Sequence, residues 1–217
     1  VTYAGQAFRL GRYPVHFHMN GNMSLSYIKS SSIHQTFNRA VNIHATNYLT
    51  VSNNVIYDVM GGAVFLEDGV ETFNTLSYNL LIFVRTSSSL LNEDVTPAAI
   101  WVTNPNNIVE HNAVAGGTHF GYWYRLLETP DGPSFAMYPN FCPHRQQFGR
   151  FFNNSVHSVG RFGVWLFPEY SPTVSGSCIT DNPYQAIIEG LISWKNSRGI
   201  EWVMSSTVQI TNARVFD

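Results

Sequence analysis

Apolar and polar residues alternate in short runs along the whole chain. The runs are rich in β-branched and aromatic residues, and Asn, Gly, Ser or Pro stands at their ends. A period of two is typical of β-strands whose alternate side chains face an interior, whereas long stretches of helical periodicity are almost absent. The pattern therefore predicts an all-β fold.

The runs also repeat. When they are aligned, two apolar columns emerge, and both should face inward. The first column is Val15, Val41, Val64, Ile100, Tyr122, Val164 and Ile200. The second column is Phe17, Ile43, Leu66, Val102, Tyr124, Leu166 and Trp202. Self-similarity of this kind is typical of a solenoid in which successive repeats stack.

A second run in most repeats places a polar residue at one shared position. The residues at that position are Ser31, Asn54, Asn79, Asn112 and Asn154. A side-chain amide at a bend can satisfy backbone groups of the next rung, whereas a two-sheet sandwich gives no reason for the repetition. We therefore predict one domain over residues 1–217, a right-handed parallel β-helix of about seven rungs with loop insertions.

The insertions are the segments 84–97, 128–147 and 168–183, which are rich in Pro, Gly, Ser and Asn. Insertions in a solenoid usually gather on one face and often form its binding surface. We expect the same arrangement here.

Composition excludes some partners. The net charge is -2 and only 12% of the residues are charged, so we expect neither nucleic acid binding nor a polybasic membrane patch. No apolar run reaches the roughly 18 residues of a spanning helix, and we expect no direct membrane insertion. Because the chain begins with Val1 and carries no signal-peptide pattern, we expect a piece of a longer protein.

Two patterns bear on secretion. Asn22 and Asn153 begin glycosylation sequons, which predicts a glycoprotein. Cys142 and Cys178 are the only cysteines, and they form either one bridge across a long loop or two separate thiols.

Histidines dominate one outward column. His18, His44 and Glu67 should lie above one another at about 4.8 Å per rung, with His16 beside them. Three interpretations remain open: a ladder of hydrogen-bonded side chains, a divalent metal site such as zinc at His18, His44 and Glu67, or a catalytic cluster. Calcium prefers an oxygen-rich set, which this column lacks.

Tryptophans dominate the other outward column. Trp101, Trp123 and Trp165 should stack on successive rungs, and exposed aromatic faces suit the sugar rings of a glycan. Alternatively, an insertion covers them and makes a second small core. Arg125, one column over, either pairs with the carboxylate of an acidic glycan or makes a cation–π contact.

Catalysis would have to centre on the histidines. Glycoside hydrolysis normally uses two carboxyl groups across the scissile bond, but Glu67 and Asp68 are adjacent and should point to opposite faces. Asp68 is expected to begin a turn. Arg125 should lie roughly 14 Å along the axis from His44, too far for one reaction centre. The candidate catalytic set is His16, His18, His44 and Glu67.

Several segments are specific enough to suggest a family. GRYPVHFHMNG (11–21), WVTNPNN (101–107) and FGRFFNNSVHSVGRFGVWLFPEY (148–170) resemble the parallel β-helix region of the fibrocystin and fibrocystin-L family. The same region is similar to that of the cell-migration-inducing hyaluronan-binding protein and the related cell-surface hyaluronidase. The resemblance covers the chain from about Gly11 to Val203.

The resemblance implies an extracellular location, secreted or in the ectodomain of a membrane-anchored protein, at a ciliary surface in the fibrocystin branch. It implies a surface-coat or receptor module that contacts neighbouring domains of its own chain and glycans such as hyaluronan. The hyaluronidase branch implies the alternative, an enzyme that depolymerises hyaluronan with calcium present. The resemblance also implies a glycine-rich domain before this region, which we expect in the longer protein rather than in the sequence given.

Overall fold

The computed structural model describes residues 13–88, 92–179 and 181–216. Gly11, where the resemblance begins, lies outside the described residues, as do parts of the insertions 84–97 and 168–183. Short strands occupy the alternating runs, because β-branched and aromatic side chains fit a pleated, half-buried surface.

The described residues form 21 short strands. The first seven are β1 (Val15–Asn22), β2 (Tyr27–Lys29), β3 (Ser32–Thr36), β4 (Val41–Asn47), β5 (Thr50–Ser52), β6 (Val55–Met60) and β7 (Val64–Leu66). The next seven are β8 (Thr75–Ser77), β9 (Leu80–Arg85), β10 (Ala98–Val102), β11 (Ile108–Glu110), β12 (Ala113–Gly117), β13 (Phe120–Tyr124) and β14 (Arg150–Phe152). The last seven are β15 (Ser155–Val159), β16 (Phe162–Leu166), β17 (Ala186–Glu189), β18 (Ile192–Trp194), β19 (Arg198–Trp202), β20 (Val208–Thr211) and β21 (Arg214–Phe216).

Every third strand joins the same sheet. The result is three seven-stranded sheets with the orders β1-β4-β7-β10-β13-β16-β19, β2-β5-β8-β11-β14-β17-β20 and β3-β6-β9-β12-β15-β18-β21. All neighbouring strands within these sheets run parallel. Each rung of three strands thus stacks on the previous one, and the predicted parallel β-helix of seven rungs is confirmed.

The register confirms the first apolar column. Val15 pairs with Val41, Val41 with Val64, and the pairing continues to Ile200. From Val41 to Val164 this column is fully buried. Trp202 is the exception in the second column, because it lies on the last rung with 44% of its surface exposed.

The predicted asparagine ladder is also confirmed. Oδ1 of each buried Asn accepts the backbone N–H of the residue one rung earlier: Asn54 from Ser31 (3.0 Å), Asn79 from Asn54 (3.1 Å), Asn112 from Asn79 (3.0 Å) and Asn154 from Asn112 (2.9 Å). The side-chain Nδ2 groups donate to backbone carbonyls one rung back, as Asn79 does to Val51 at 2.9 Å. The bend is therefore polar but fully paired, which allows it to be buried.

The insertions carry two short helices and one disulfide. The insertion 84–97 contains helix α1 (Asn92–Val95), and the insertion 128–147 contains helix α2 (Gly132–Met137) and the 3-10 turn Pro143–Arg145. A disulfide links Cys142 to Cys178 of the insertion 168–183, which confirms the bridge over two separate thiols. Neither helix in the described part of the chain has the length or the apolarity needed to cross a bilayer.

Candidate functional site

Three histidine rings meet where β1 and β4 lie side by side. In the parallel register His18 stands opposite His44, and the Nδ1 atoms of the two rings are 2.9 Å apart. The ring centroid of His16 lies 5.0 Å from that of His18. One nitrogen of each ring falls within a group whose atoms are all within 4.8 Å of one another. The structure thus brings together the three histidines that the strand register placed side by side.

Two carboxylates contact His44 from different sides. Nε2 of His44 is 2.8 Å from Oδ2 of Asp68, and Nδ1 is 3.6 Å from Oε2 of Glu67. The expectation that Glu67 and Asp68 diverge to opposite faces is wrong, because β7 ends at Leu66 and strand alternation stops there. The histidine cluster therefore has an acidic partner, Asp68, that the sequence assigned only to a turn.

The insertion 128–147 holds Asp68 in place. The backbone N–H of Ser134 donates to Oδ2 of Asp68 at 3.3 Å, and that of Asp131 donates to its backbone carbonyl at 2.8 Å. A Cβ on Gly132, whose φ is +54°, would come within 2.9 Å of Oδ1. Burial alone would raise the pKa of Asp68, but the hydrogen bonds from His44 and Ser134 outweigh it and lower the pKa.

Glu67 is oriented by a buried cation and an amide. Nδ2 of Asn42 donates to Oε2 at 2.6 Å, and Nη1 of Arg39 lies 3.5 Å from Oε1. Arg39 is itself only 2% exposed, with its Nε 2.6 Å from Oδ1 of the fully buried Asp94. Its guanidinium carbon lies 3.5 Å from the ring centre of Phe65. Sequence reasoning missed Arg39 and Asp94, because no column or motif pairs them.

Glu71 fixes the turn that carries both carboxylates. It is fully buried, and its carboxyl oxygens accept backbone N–H groups of Ala45 (2.8 Å), Asp68 (3.0 Å) and Gly69 (2.8 Å). Burial raises its pKa, partly opposed by these hydrogen bonds. Glu71 therefore ties the rung of His44 to the rung of Asp68 without lying in the site.

The histidines differ in their electrostatics. Burial lowers the pKa of His16 to about 4, so this ring is neutral at pH 7. Burial also acts to lower the pKa of His44, but the hydrogen bond to Asp68 and the negative charge of Glu67 outweigh it and raise the pKa. One ring of the cluster is thus a neutral nitrogen donor, and another is stabilised in its protonated form.

A cavity of about 170 Å³ lies beside the cluster, lined by Glu67, Asp68, Trp101 and Arg125 among others. Arg125 therefore shares a cavity with the carboxylates, and the expected axial separation does not isolate it. Its Nη1 is 2.9 Å from Oδ2 of Asp131, and its guanidinium carbon is 5.9 Å from the ring centre of Trp101. Arg125 thus has a carboxylate partner within its own chain.

The tryptophan column forms a second small core. Trp101 is 1% exposed and Trp123 is 9% exposed, and their ring centroids are 4.3 Å apart. The ring centroids of Phe120 and Trp165 are 5.0 Å apart, and Trp165 is half-buried. The expectation of an exposed stack for sugar rings is therefore wrong for Trp101 and Trp123, because both are buried in a hydrophobic cluster with phenylalanines of the same sheet.

Comparison with known proteins identifies the family. The family model described as CEMIP beta-helix matches residues 1–164. The chain belongs to the CEMIP beta-helix family. The matched region includes every residue of the histidine cluster and both carboxylates, so the cluster lies within the part of the chain that defines the family.

Relatives of this CEMIP beta-helix chain are much larger proteins. Fibrocystin-L of Homo sapiens is 55% identical over 98% of the chain, which covers 5% of that protein. The cell surface hyaluronidase of Danio rerio is 29% identical over 98% of the chain, which covers 19% of that protein. The cell migration-inducing and hyaluronan-binding protein of Mus musculus is 31% identical over 89% of the chain, which covers 16% of it. The resemblance found in the sequence is therefore confirmed, and the chain corresponds to a β-helix module.

The two predicted glycosylation sites of this CEMIP beta-helix chain are accessible to solvent. The sequon residues Asn22 and Asn153 are both exposed, and glycosylation at them stays a prediction. The calcium implied by the hyaluronidase branch does not suit the histidine cluster, because three imidazole nitrogens replace the oxygen ligands that calcium prefers.

Proposed function

We propose that the chain is an architectural and interaction module of a larger extracellular protein, a surface-coat or receptor protein that contacts neighbouring domains or glycans. The observation that carries the proposal is the uninterrupted stack of three seven-stranded parallel sheets. Six rung steps of about 4.8 Å make a rod roughly 29 Å long. The disulfide between Cys142 and Cys178 is in keeping with an extracellular, oxidising location.

The last rung supports contact with an adjoining domain. Val215 is 46% exposed and Phe216 is 55% exposed, together with Trp202 at 44%. Exposed apolar side chains grouped at one end of a solenoid favour a partner that covers them. An acidic glycan is a weaker candidate partner at the cluster, because Arg39 and Arg125 are already paired with carboxylates of the chain.

A second candidate function is cleavage of hyaluronan. The hydrogen-bonded sequence His18–His44–Asp68 favours it, because a carboxylate that orients a histidine is the arrangement of a general base. Relatives carry the name hyaluronidase. In this alternative His18 or His44 exchanges a proton with the substrate, and Asp68, only 4% exposed, is a positioning residue rather than a nucleophile.

One experiment separates the two functions. Hyaluronan of defined length is incubated, with and without calcium, with a protein in which the preceding glycine-rich domain is joined to this chain, and the chain lengths are then measured. Intact hyaluronan under all conditions supports the architectural module. The enzyme is supported if the unmodified protein and the control His34→Ala shorten hyaluronan and His44→Ala leaves it intact. His34 is an exposed histidine on β3, outside the cluster.

A further inference from the structure

The histidine cluster has the donor set of a transition-metal site. Three imidazoles from adjacent strands bring ring nitrogens within 4.8 Å of one another, and one carboxylate oxygen of Glu67 lies 3.6 Å from Nδ1 of His44. Zinc prefers His nitrogen and carboxylate oxygen, and it usually takes four ligands in a tetrahedron. The chemistry of these four side chains therefore matches one ion.

The distances are close to those that a zinc ion needs. Ligand atoms about 2.0–2.1 Å from a tetrahedral zinc stand roughly 3.3 Å from one another. The Nδ1 atoms of His18 and His44 are 2.9 Å apart, and Nδ1 of His44 is 3.6 Å from Oε2 of Glu67. Adjustments of a few tenths of an ångström would bring these three atoms to the required spacing.

Asp68 selects the tautomer of His44 that can bind a metal. Because the carboxylate accepts from Nε2–H at 2.8 Å, the lone pair of the neutral ring is on Nδ1, the atom that faces His18 and Glu67. Metal-ligating histidines usually donate their other N–H to a carboxylate or a carbonyl in this way. Ser134 in turn donates to Asp68 at 3.3 Å, which keeps the carboxylate in position.

His16 distinguishes a metal site from a simple hydrogen-bonded pair. A bond between His18 and His44 explains those two rings, but Nε2 of His16 is buried without a hydrogen-bond partner among the described residues. A buried polar atom without a partner is uncommon and calls for an explanation such as an ion.

The surrounding charges suit a divalent cation. Arg39 contacts Oε1 of Glu67, which leaves Oε2 turned toward the histidines, and Asn42 holds Oε2 at 2.6 Å. Glu67 and Asp68 together supply two negative charges against the two positive charges of the ion. We infer that His16, His18, His44 and Glu67 bind one zinc ion and that Asp68 positions His44. This inference holds whether the module is architectural or catalytic.

Metal content of the whole chain tests the inference. Protein stripped with a chelator is reloaded with zinc, passed through a desalting column and analysed for bound metal. We expect one zinc per chain for the unmodified protein and for His34→Ala, and at least a tenfold loss of affinity for His44→Ala. Asp68→Asn should keep the stoichiometry but weaken zinc binding about 10–100-fold, because it removes an outer-shell partner.

Two measurements need only the unmodified protein, so they do not depend on whether a variant folds. Zinc X-ray absorption should show imidazole nitrogens at about 2.0–2.1 Å, and cobalt in place of zinc should give the visible spectrum of a tetrahedral ion. No retained zinc, or coordination by oxygen alone, would overturn the inference. So would equal zinc affinity in the unmodified protein and a His44→Ala variant whose circular dichroism is unchanged. These experiments measure zinc binding and not hyaluronan cleavage, so failure of this inference is distinguishable from failure of the proposed function.

Discussion

The buried ion pair of Arg39 and Asp94 offers the sharpest test of how the site is held together. The substitution Arg39→Met keeps most of the side-chain volume but removes the guanidinium. Asp94 is then left fully buried without the cation that lies 2.6 Å from its Oδ1. Because Asp94 is in the insertion 84–97 and Arg39 contacts Glu67, the same change loosens an insertion and a carboxylate of the candidate site.

The expected cost follows from burial. Removing one partner of a buried ion pair costs about 3–5 kcal/mol, since it leaves an uncompensated charge. Burial alone would lower the pKa of Arg39, but Asp94, Tyr13 and Glu67 together outweigh burial and raise the pKa, so the charged guanidinium is stabilised in the folded protein. Loss of the contact with Phe65, 3.5 Å from the guanidinium carbon, adds up to about 2 kcal/mol. We expect Arg39→Met to lower the free energy of unfolding by at least about 3 kcal/mol.

Equilibrium unfolding in urea measures this change, and the chain provides a matched control. Arg85 and Asp58 form a pair at 2.8 Å whose side chains are 35% and 31% exposed. Exposed pairs contribute about 0–1 kcal/mol, so Arg85→Met should have a small effect. The double variant Arg39→Met/Asp94→Asn should be more stable than the sum of the single changes predicts. If Arg39→Met costs no more than Arg85→Met, the reasoning is refuted.

Three further changes test the frame around the site. Asn79→Ala should lower the free energy of unfolding in urea by at least about 2 kcal/mol, because the buried N–H groups of Asn54 lose their acceptor. A comparable loss for the exposed Asn182→Ala would contradict the ladder's role. Burial raises the pKa of Glu71, so its contribution to stability is full below its ordinary value of 4.5 and declines as pH rises through the raised value. The free energy of unfolding of the unmodified protein should therefore fall relative to that of Glu71→Gln as pH rises above about 4.5, and a pH-independent difference would refute this. Cys142→Ser opens a link between residues 36 apart in sequence and should cost about 4 kcal/mol, measured by thermal unfolding; an unchanged midpoint would contradict it.

The repeating parts of the fold were predictable because they are fixed by local chemistry. Inward apolar columns and an amide at each bend recur at every rung, so the sequence displays them several times over. The contact of His18 with His44 follows from the same register. A second ladder was missed, in which Asn74 donates its backbone N–H to Asn107 and accepts from Leu49. It spans only two asparagines, too few to stand out as a column.

The insertions limited what could be predicted of the site. Asp68 and Asp94 lie outside the strands, where alternation no longer fixes the direction of a side chain. Their partners His44 and Arg39 are 24 and 55 residues away in sequence, and no repeat relates the members of either pair. The cover over Trp101 was left open for a similar reason, because burial by neighbouring aromatic rings depends on packing across rungs rather than on periodicity.

The hydrogen bonds from backbone N–H groups to the side-chain oxygens of the asparagine ladder all run in one direction along the rod. From Ser31 to Asn112 each rung donates to the Oδ1 atom of the next, so the side-chain oxygens of Asn54, Asn79, Asn112 and Asn154 all point toward the first rung. Hydrogen bonds in one series polarise one another and so strengthen one another. The accepting oxygen atoms of this series face the rungs that carry the histidines, and the backbone N–H groups that donate to them face the last rung. Two such rods placed end to end are therefore not equivalent when one of them is reversed.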